Sequence, residues 1–276
     1  MPALLLPATL LHTSPLHLVL LFLAAFVAGA INSVAGGGTI LTFPTLLTIL
    51  GPAQSVLANG TSTVALVPGS VSAYWNYRSE VKLNRTALWQ MAVPSLLGGG
   101  IGAYLATHVN AKLFSHLVPW LILGATFLFL IQDPVRRWVD QRRAAGGGEA
   151  AGERPLGVGG MIFQFFVALY GGFFGAGIGI LMLAALGFLG QTNIHRMNGL
   201  KNFAAVCING IGTALFIYYG KVNWSLAILM AVAAIAGGWG GAGVARKMGQ
   251  ANVRRVVIGI GLVFGLFTLA QQIGLV

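Results

Sequence analysis

Asn59-Gly60-Thr61-Ser62-Thr63 opens a stretch, residues 59–106, that aligns without a gap on residues 198–245, which open Asn198-Gly199-Leu200-Lys201-Asn202. The shift is 139 positions. It carries Lys82-x-Asn84 onto Lys221-x-Asn223 and Met91-Ala92-Val93 onto Met230-Ala231-Val232. Gly98-Gly99 and Gly102-Ala103 fall on Gly237-Gly238 and Gly241-Ala242. Glycine and alanine bias alone would not bring rare Asn, Lys and Met into register. A repeat of about half the length of a very apolar chain is the usual mark of a transporter, built from two structural repeats around a site near the bilayer midplane.

Composition agrees with a membrane setting. Of 276 residues, 57% are hydrophobic and 8% charged, and the mean hydropathy is +0.83, whereas a soluble domain carries about 25% charged residues. The net charge of +11 is not a nucleic-acid footprint. Lys and Arg gather in a few loops with no basic face interleaved with stacking aromatics, so nucleic acid is excluded as a partner. In a membrane protein such loops mark the cytoplasmic side. Cys207 stands alone, which rules out a disulfide framework or thiol cluster and reads as a small apolar packing residue. The segment Met1–Ala30 lacks a basic residue ahead of its apolar run, so it is expected to belong to the fold rather than to a cleaved signal.

Crossing about 30 Å of hydrocarbon takes close to 20 apolar residues. Runs at 61–77, 87–107, 113–131, 198–219, 223–245 and 254–273 satisfy this. Two stretches differ. Residues 16–50 are interrupted by Ala35-Gly36-Gly37-Gly38, and residues 158–190 by Gly175-Ala176-Gly177-Ile178-Gly179. Each is too long for one helix and too short for two full crossings. The polar segment 132–157 carries Arg136, Arg137, Arg142, Arg143 and Gly146-Gly147-Gly148, and reads as a flexible cytoplasmic linker. It divides an N-terminal repeat (1–131) from a C-terminal one (158–276). If both interrupted stretches crossed once, positive charge would split almost evenly between the two sides. If both are re-entrant hairpins, the repeats invert and nearly all of it gathers on one side, as the positive-inside rule requires. The fold expected is therefore an all-α integral membrane protein of two four-element, inverted repeats. Each repeat is a glycine-broken re-entrant hairpin followed by three transmembrane helices. Both termini would lie outside.

Non-helical backbone at membrane depth is tolerated only inside protein or along a polar cavity, so the glycine tips are placed where a substrate could sit. The first tip region, Asn32-Ser33-Val34-Ala35-Gly36-Gly37-Gly38-Thr39, offers backbone N–H groups, two hydroxyls and an amide. A half-helix starting after Gly38 would point its positive end at an anion. Gly175, Gly177 and Gly179 recur at the matching place in the second half. Gly98-x-x-x-Gly102 and Gly237-x-x-x-Gly241 read instead as close helix-packing motifs. The hydroxyls of Thr61, Ser62 and Thr63 could serve as helix-start caps. Lys201 is harder to absorb into structure, since it lies about two turns inside an apolar span, where an ionised side chain marks function by default. The alternative is that it snorkels toward the interface. The five acids, Glu80, Asp133, Asp140, Glu149 and Glu153, all fall in expected loops, so Lys201's partner would be an anion. Carboxylate-based sodium or proton coupling is not expected. Catalytic motifs are missing, and no enzyme activity, cofactor or metal is expected.

The string Asn32 to Thr39 with Pro44 resembles the first signature of the sulfite exporter family TauE/SafE. So do Asn59-Gly60-Thr61-Ser62, the span ending Tyr74-Trp75-Asn76-Tyr77-Arg78, and Gly175-x-Gly177-x-Gly179 followed by Asn198-Gly199-Leu200-Lys201-Asn202. The resemblance covers residues 18–270. It implies a multi-pass permease of the plasma membrane that exports a small sulfur-containing anion such as sulfite or a sulfonate. The second tip departs from the first by reading Gly177-Ile178-Gly179, and Pro44 has no counterpart near Ala185. The expected substrate-binding set is Asn32, Ser33, Gly36, Gly37, Gly38, Thr39, Asn59, Thr61, Ser62, Gly175, Gly177, Gly179, Asn198, Lys201 and Asn202. Partners are a small inorganic or organosulfur anion and the lipid bilayer, with homo-oligomers left open. The different-class alternative is a membrane-embedded accessory or assembly protein whose glycines only pack helices.

Overall fold

The computed structural model describes residues 13–34, 37–81, 85–131, 133–135, 137–138, 141, 157–188, 194–238 and 250–275. The linker's Gly146-Gly147-Gly148, Lys82-Leu83-Asn84 and residues 239–249 lie outside these. Every described element is a helix. The first half holds α1 (Pro15–Val34), α2 (Thr39–Leu50), α3 (Ser55–Val81), α4 (Arg85–His108) and α5 (Ala111–Leu130). The second holds α6 (Gly157–Phe173), α7 (Ile178–Phe188), α8 (Ile194–Tyr218), α9 (Trp224–Ala236) and α10 (Gln250–Gln272).

Helix starts repeat the sequence register. Thr39 and Ile178, Ser55 and Ile194, Arg85 and Trp224, and Ala111 and Gln250 open matching helices, each pair at the 139-residue spacing that also separates the hydrogen-bonded Ser70 and Asn209. Two local signals set these boundaries. Asn110 caps α5 and Asn223 caps α9 through their side-chain oxygens, satisfying N–H groups that would otherwise be orphaned. At α2 and α7 the preceding glycines do the work: Gly37, Gly175 and Gly177 have φ of 98°, 84° and 76°, a region that L side chains rarely enter.

Packing pairs the halves. α4 packs on α6 and α1 on α9; α8 packs on α4 and α3 on α9; α3 packs on α8 and α5 on α10. Glycines permit the closest of these approaches, as the small-xxx-small spacing anticipates. Gly98 lies against the Phe165 carbonyl and Gly102 against that of Leu169, so α4 and α6 run in the same direction. Gly237, 139 residues after Gly98, lies against the carbonyl of Phe26, and Phe26 stands 139 residues before Phe165. Gly241 is outside the described residues.

α3 and α8 run antiparallel. Thr61 near the start of α3 accepts the Asn223 N–H just after α8. Midway, Asn209 donates to the Ser70 hydroxyl at 3.0 Å. At the far end Asn202 donates to the Ala73 carbonyl at 3.4 Å. α4 and α8 end together, with the Tyr104 and Tyr219 rings 6.2 Å apart and His108 edge-on to Tyr219 at 4.6 Å.

Four helices, α1, α5, α8 and α10, are both long and apolar enough to cross a bilayer. α3 and α4 have the length, with 27 and 24 residues, but the polar residues and glycines that bind neighbouring helices lower their hydropathy. α1, with 20 residues, gives the first interrupted stretch one helix of full crossing length. Its partner α2 has 12 residues, about 18 Å. Large apolar side chains such as Leu97, Trp120, Phe166 and Val263 face outward, as lipid contact requires. The protein is a multi-pass, all-helical membrane protein.

Three boundary expectations need correction. α3 opens at Ser55 and α8 at Ile194, so Thr61, Ser62 and Thr63 lie inside a helix and cap nothing. Thr61 and Thr63 donate instead to the carbonyls four residues back, Leu57 and Asn59. Glu80 belongs to the last turn of α3 and Asp133 to a helical turn, not to loops.

Candidate functional site

The two glycine tips meet. A side chain at Gly37 would strike the Gly177 backbone nitrogen and the Phe129 ring, and one at Gly175 would come within 4.0 Å of the Thr39 hydroxyl. Each tip is held from within its own half. Asn32 Oδ1 accepts the Gly38 N–H at 2.9 Å, and Tyr170 donates its hydroxyl to the Ala176 carbonyl at 2.8 Å. The halves are also stitched together, because Asn59 Nδ2 donates to the Phe173 carbonyl at 2.8 Å.

A cavity opens where the tips face the central helices. The first tip contributes Asn32, Gly37 and Thr39, and the second Gly175, Ile178 and Gly179. α3 lines it with Thr63, Leu66, Ser70 and Ala73; α8 lines it with Lys201, Asn202, Ala205 and Asn209. The spacings on both helices are those of a single helical face. The volume is about 30 Å³, against roughly 10–15 Å³ for one water. It admits a small polyatomic ion and excludes anything the size of a nucleotide.

Lys201 dominates the electrostatics. Its side chain is 2% exposed, and it makes no hydrogen bond or ion pair with any described residue. That geometry is not the snorkelling one, in which the ammonium reaches water. An unpaired charge in such a place costs several kcal/mol on the order-of-magnitude scale, so something must compensate it when the site is filled. Backbone donors stand nearby. At the second tip the Ile178 and Gly179 N–H groups have no partner among the described residues, and neither does that of Thr39 at the first. Not every amide is free, because Ile40 and Leu41 donate back to Gly37 and Gly38.

The expected set therefore divides. Asn32, Gly37, Thr39, Gly175, Gly179, Lys201 and Asn202 line the cavity. Gly38, Asn59, Thr61, Ser62, Gly177 and Asn198 do not. Gly38 packs on Ala28 and Gly177 on Leu128. Ser62 shares a 2.6 Å hydrogen bond with Thr42, and Thr61 is spent on the helix contacts described above; Asn59 gives its Nδ2 to the Phe173 carbonyl, while its buried Oδ1 has no partner among the described residues. Gly179 lies within α7 rather than in the tip. The Ser33 side chain and Gly36 fall outside what is described. Thr63, Ser70 and Asn209 are lining residues that motif reading passed over. Their sequence signal is only polar residues at helical spacing on two spans, which points to a site only once those spans are known to face each other.

Comparison with known proteins places this architecture. The family described as Sulfite exporter TauE/SafE matches residues 21–268. A probable membrane transporter protein of Haemophilus influenzae is 29% identical over 250 residues, covering 87% of this chain and 90% of its own. The probable membrane transporter protein YfcA of Escherichia coli K12 is 30% identical over 253 residues, covering 91% and 88%. A third, ORF9 of a Sinorhizobium species, carries the same description at 26% identity, covering 92% and 93%. No solved structure matches. With the match extending over nearly all the chain, the protein belongs to the TauE/SafE family of membrane transporters.

Proposed function

We propose that this protein exports a small sulfur-containing oxyanion, sulfite or a sulfonate, across the plasma membrane, using two inverted repeats that share one central site. The observation that carries the reading is Lys201, an ammonium with no partner among the described residues, in a polyatomic-ion-sized cavity bounded by both glycine tips. Lys201 supplies charge; Asn202, Asn209, Ser70 and Thr39 supply hydrogen bonds; the tips supply backbone N–H groups. Inverted repeats are supported by the antiparallel course of α3 and α8, which are the same element of the two halves. Re-entry is supported in the second half, where α6 runs the same way as α4 and α7 returns the chain to the start of α8.

Flux of labelled sulfite from liposomes holding the purified protein tests the activity. Protein-dependent flux is expected; none would favour an accessory or assembly role. Among the described residues no carboxylate lines the cavity, so flux should be equal in sodium and in choline medium. A strict sodium requirement would show that a coupling-ion site lies elsewhere.

Topology follows from the same reading. Single cysteines at position 145 and at the C-terminus should label from opposite sides, 145 from the cytoplasm. Labelling from one side would break the inverted arrangement.

A further inference from the structure

The internal symmetry of the cavity is broken in its charge. Among the described residues, Lys201 is the only charged side chain that lines it; Asn32, Thr39, Thr63, Ser70, Asn202 and Asn209 are neutral. The residue 139 positions before Lys201 is Ser62, whose buried hydroxyl is shared with Thr42 at 2.6 Å. The described residues of the first half therefore bring no second cation. Elsewhere the relation holds more closely: Ser70 and Asn209 occupy equivalent positions and hydrogen-bond to each other across the central helices. The undescribed part of the first tip, Ala35-Gly36, carries no ionisable side chain.

Such a site neutralises one negative charge. A monoanion beside Lys201 leaves the filled cavity neutral. A dianion of the same size leaves an excess charge walled in by helices, where uncompensated charge is strongly disfavoured. Amides and hydroxyls orient oxygen atoms without cancelling net charge. We infer that the cavity selects singly charged oxyanions, hydrogensulfite or the –SO3⁻ head of a sulfonate, over doubly charged ones. The inference rests on reading the cavity as the transport site.

The test compares methanesulfonate with sulfate, two small tetrahedral anions that differ chiefly in carrying one charge or two. Binding to the purified wild-type protein and flux in liposomes are both measured. Methanesulfonate should bind at least about tenfold more tightly than sulfate, a ratio that needs only a modest free-energy difference, and should be the anion that moves. In Lys201→Met the preference should shrink because affinity for the monoanion falls. Sulfate bound as tightly as methanesulfonate by the wild type would overturn the single-charge inference and leave anion transport standing. Failure of both anions to bind and to move would overturn the transport-site reading, and the inference with it. Both decisive comparisons use the wild type, so the outcome does not depend on how well the variant folds.

Discussion

Lys201→Met is expected to cost anion binding tenfold or more while the protein inserts and folds normally. Opposite charges about 4 Å apart interact by roughly 4 kcal/mol at an effective dielectric of 20, and about 1.4 kcal/mol is already a factor of ten. Methionine keeps an apolar stem of similar length in a site where Lys201 is 2% exposed, so packing is largely preserved. The empty protein should be at least as stable as the wild type, because a buried ammonium without a partner is a cost to folding. Lys201→Ala should weaken binding comparably and add a small cavity. Lys201→Arg should rescue poorly, since a planar guanidinium does not reproduce the position of a compact ammonium. Lys221→Ala is the control. Lys221 lies in the short connection before α9 and should be nearly silent. Wild-type affinity in a well-folded Lys201→Met protein would remove the charge from the site, leaving backbone N–H groups and amides to bind the anion.

Gly37→Ala should lower stability for two separable reasons. Gly37 has φ 98°, and placing an L side chain in the left-handed region costs about 1–2 kcal/mol. The added methyl would also sit 2.9 Å from the Gly177 nitrogen and 3.0 Å from the Phe129 ring. Backbone gives way poorly, and overpacking of this kind costs about 1–3 kcal/mol more. Gly51→Ala separates the two contributions, because Gly51 has φ 82° but nothing within 4 Å of an added methyl. Denaturant unfolding in detergent should show a loss of about 2–5 kcal/mol for Gly37→Ala and only the backbone part for Gly51→Ala. Equal losses would mean that the tips do not abut. Because Gly37 touches the opposite tip, its variant should also weaken anion binding, whereas Gly51→Ala should not.

Much of this arrangement was legible in the chain. The 139-residue register needs only rare residues in phase, and it fixes which helices correspond. The glycine breaks mark the starts of α2 and α7 because glycine alone accepts the backbone angles found there. Lys201 stands out because an ionised group in an apolar run has few structural explanations. Other assignments could not be made from residue type. Asn59, Thr61 and Ser62 look like ligands, yet each is engaged by a carbonyl, a backbone N–H or another hydroxyl. In a lipid-facing fold a buried polar group is costly without a partner, and sequence does not say whether that partner is backbone or substrate. Ser70 and Asn209 were the converse. Their importance depends on α3 and α8 facing each other in opposite directions, a long-range fact that no local pattern carries. The lining face Thr63–Leu66–Ser70–Ala73 becomes readable only once its counterpart is known to lie across from it.

An anion-bound structure in a lipid nanodisc tests the central claim most directly. The anion should lie within hydrogen-bonding distance of Lys201 Nζ and touch both tips, around Gly37–Thr39 and Gly175–Gly179. An anion seated wholly within one half, or away from Lys201, would contradict the account.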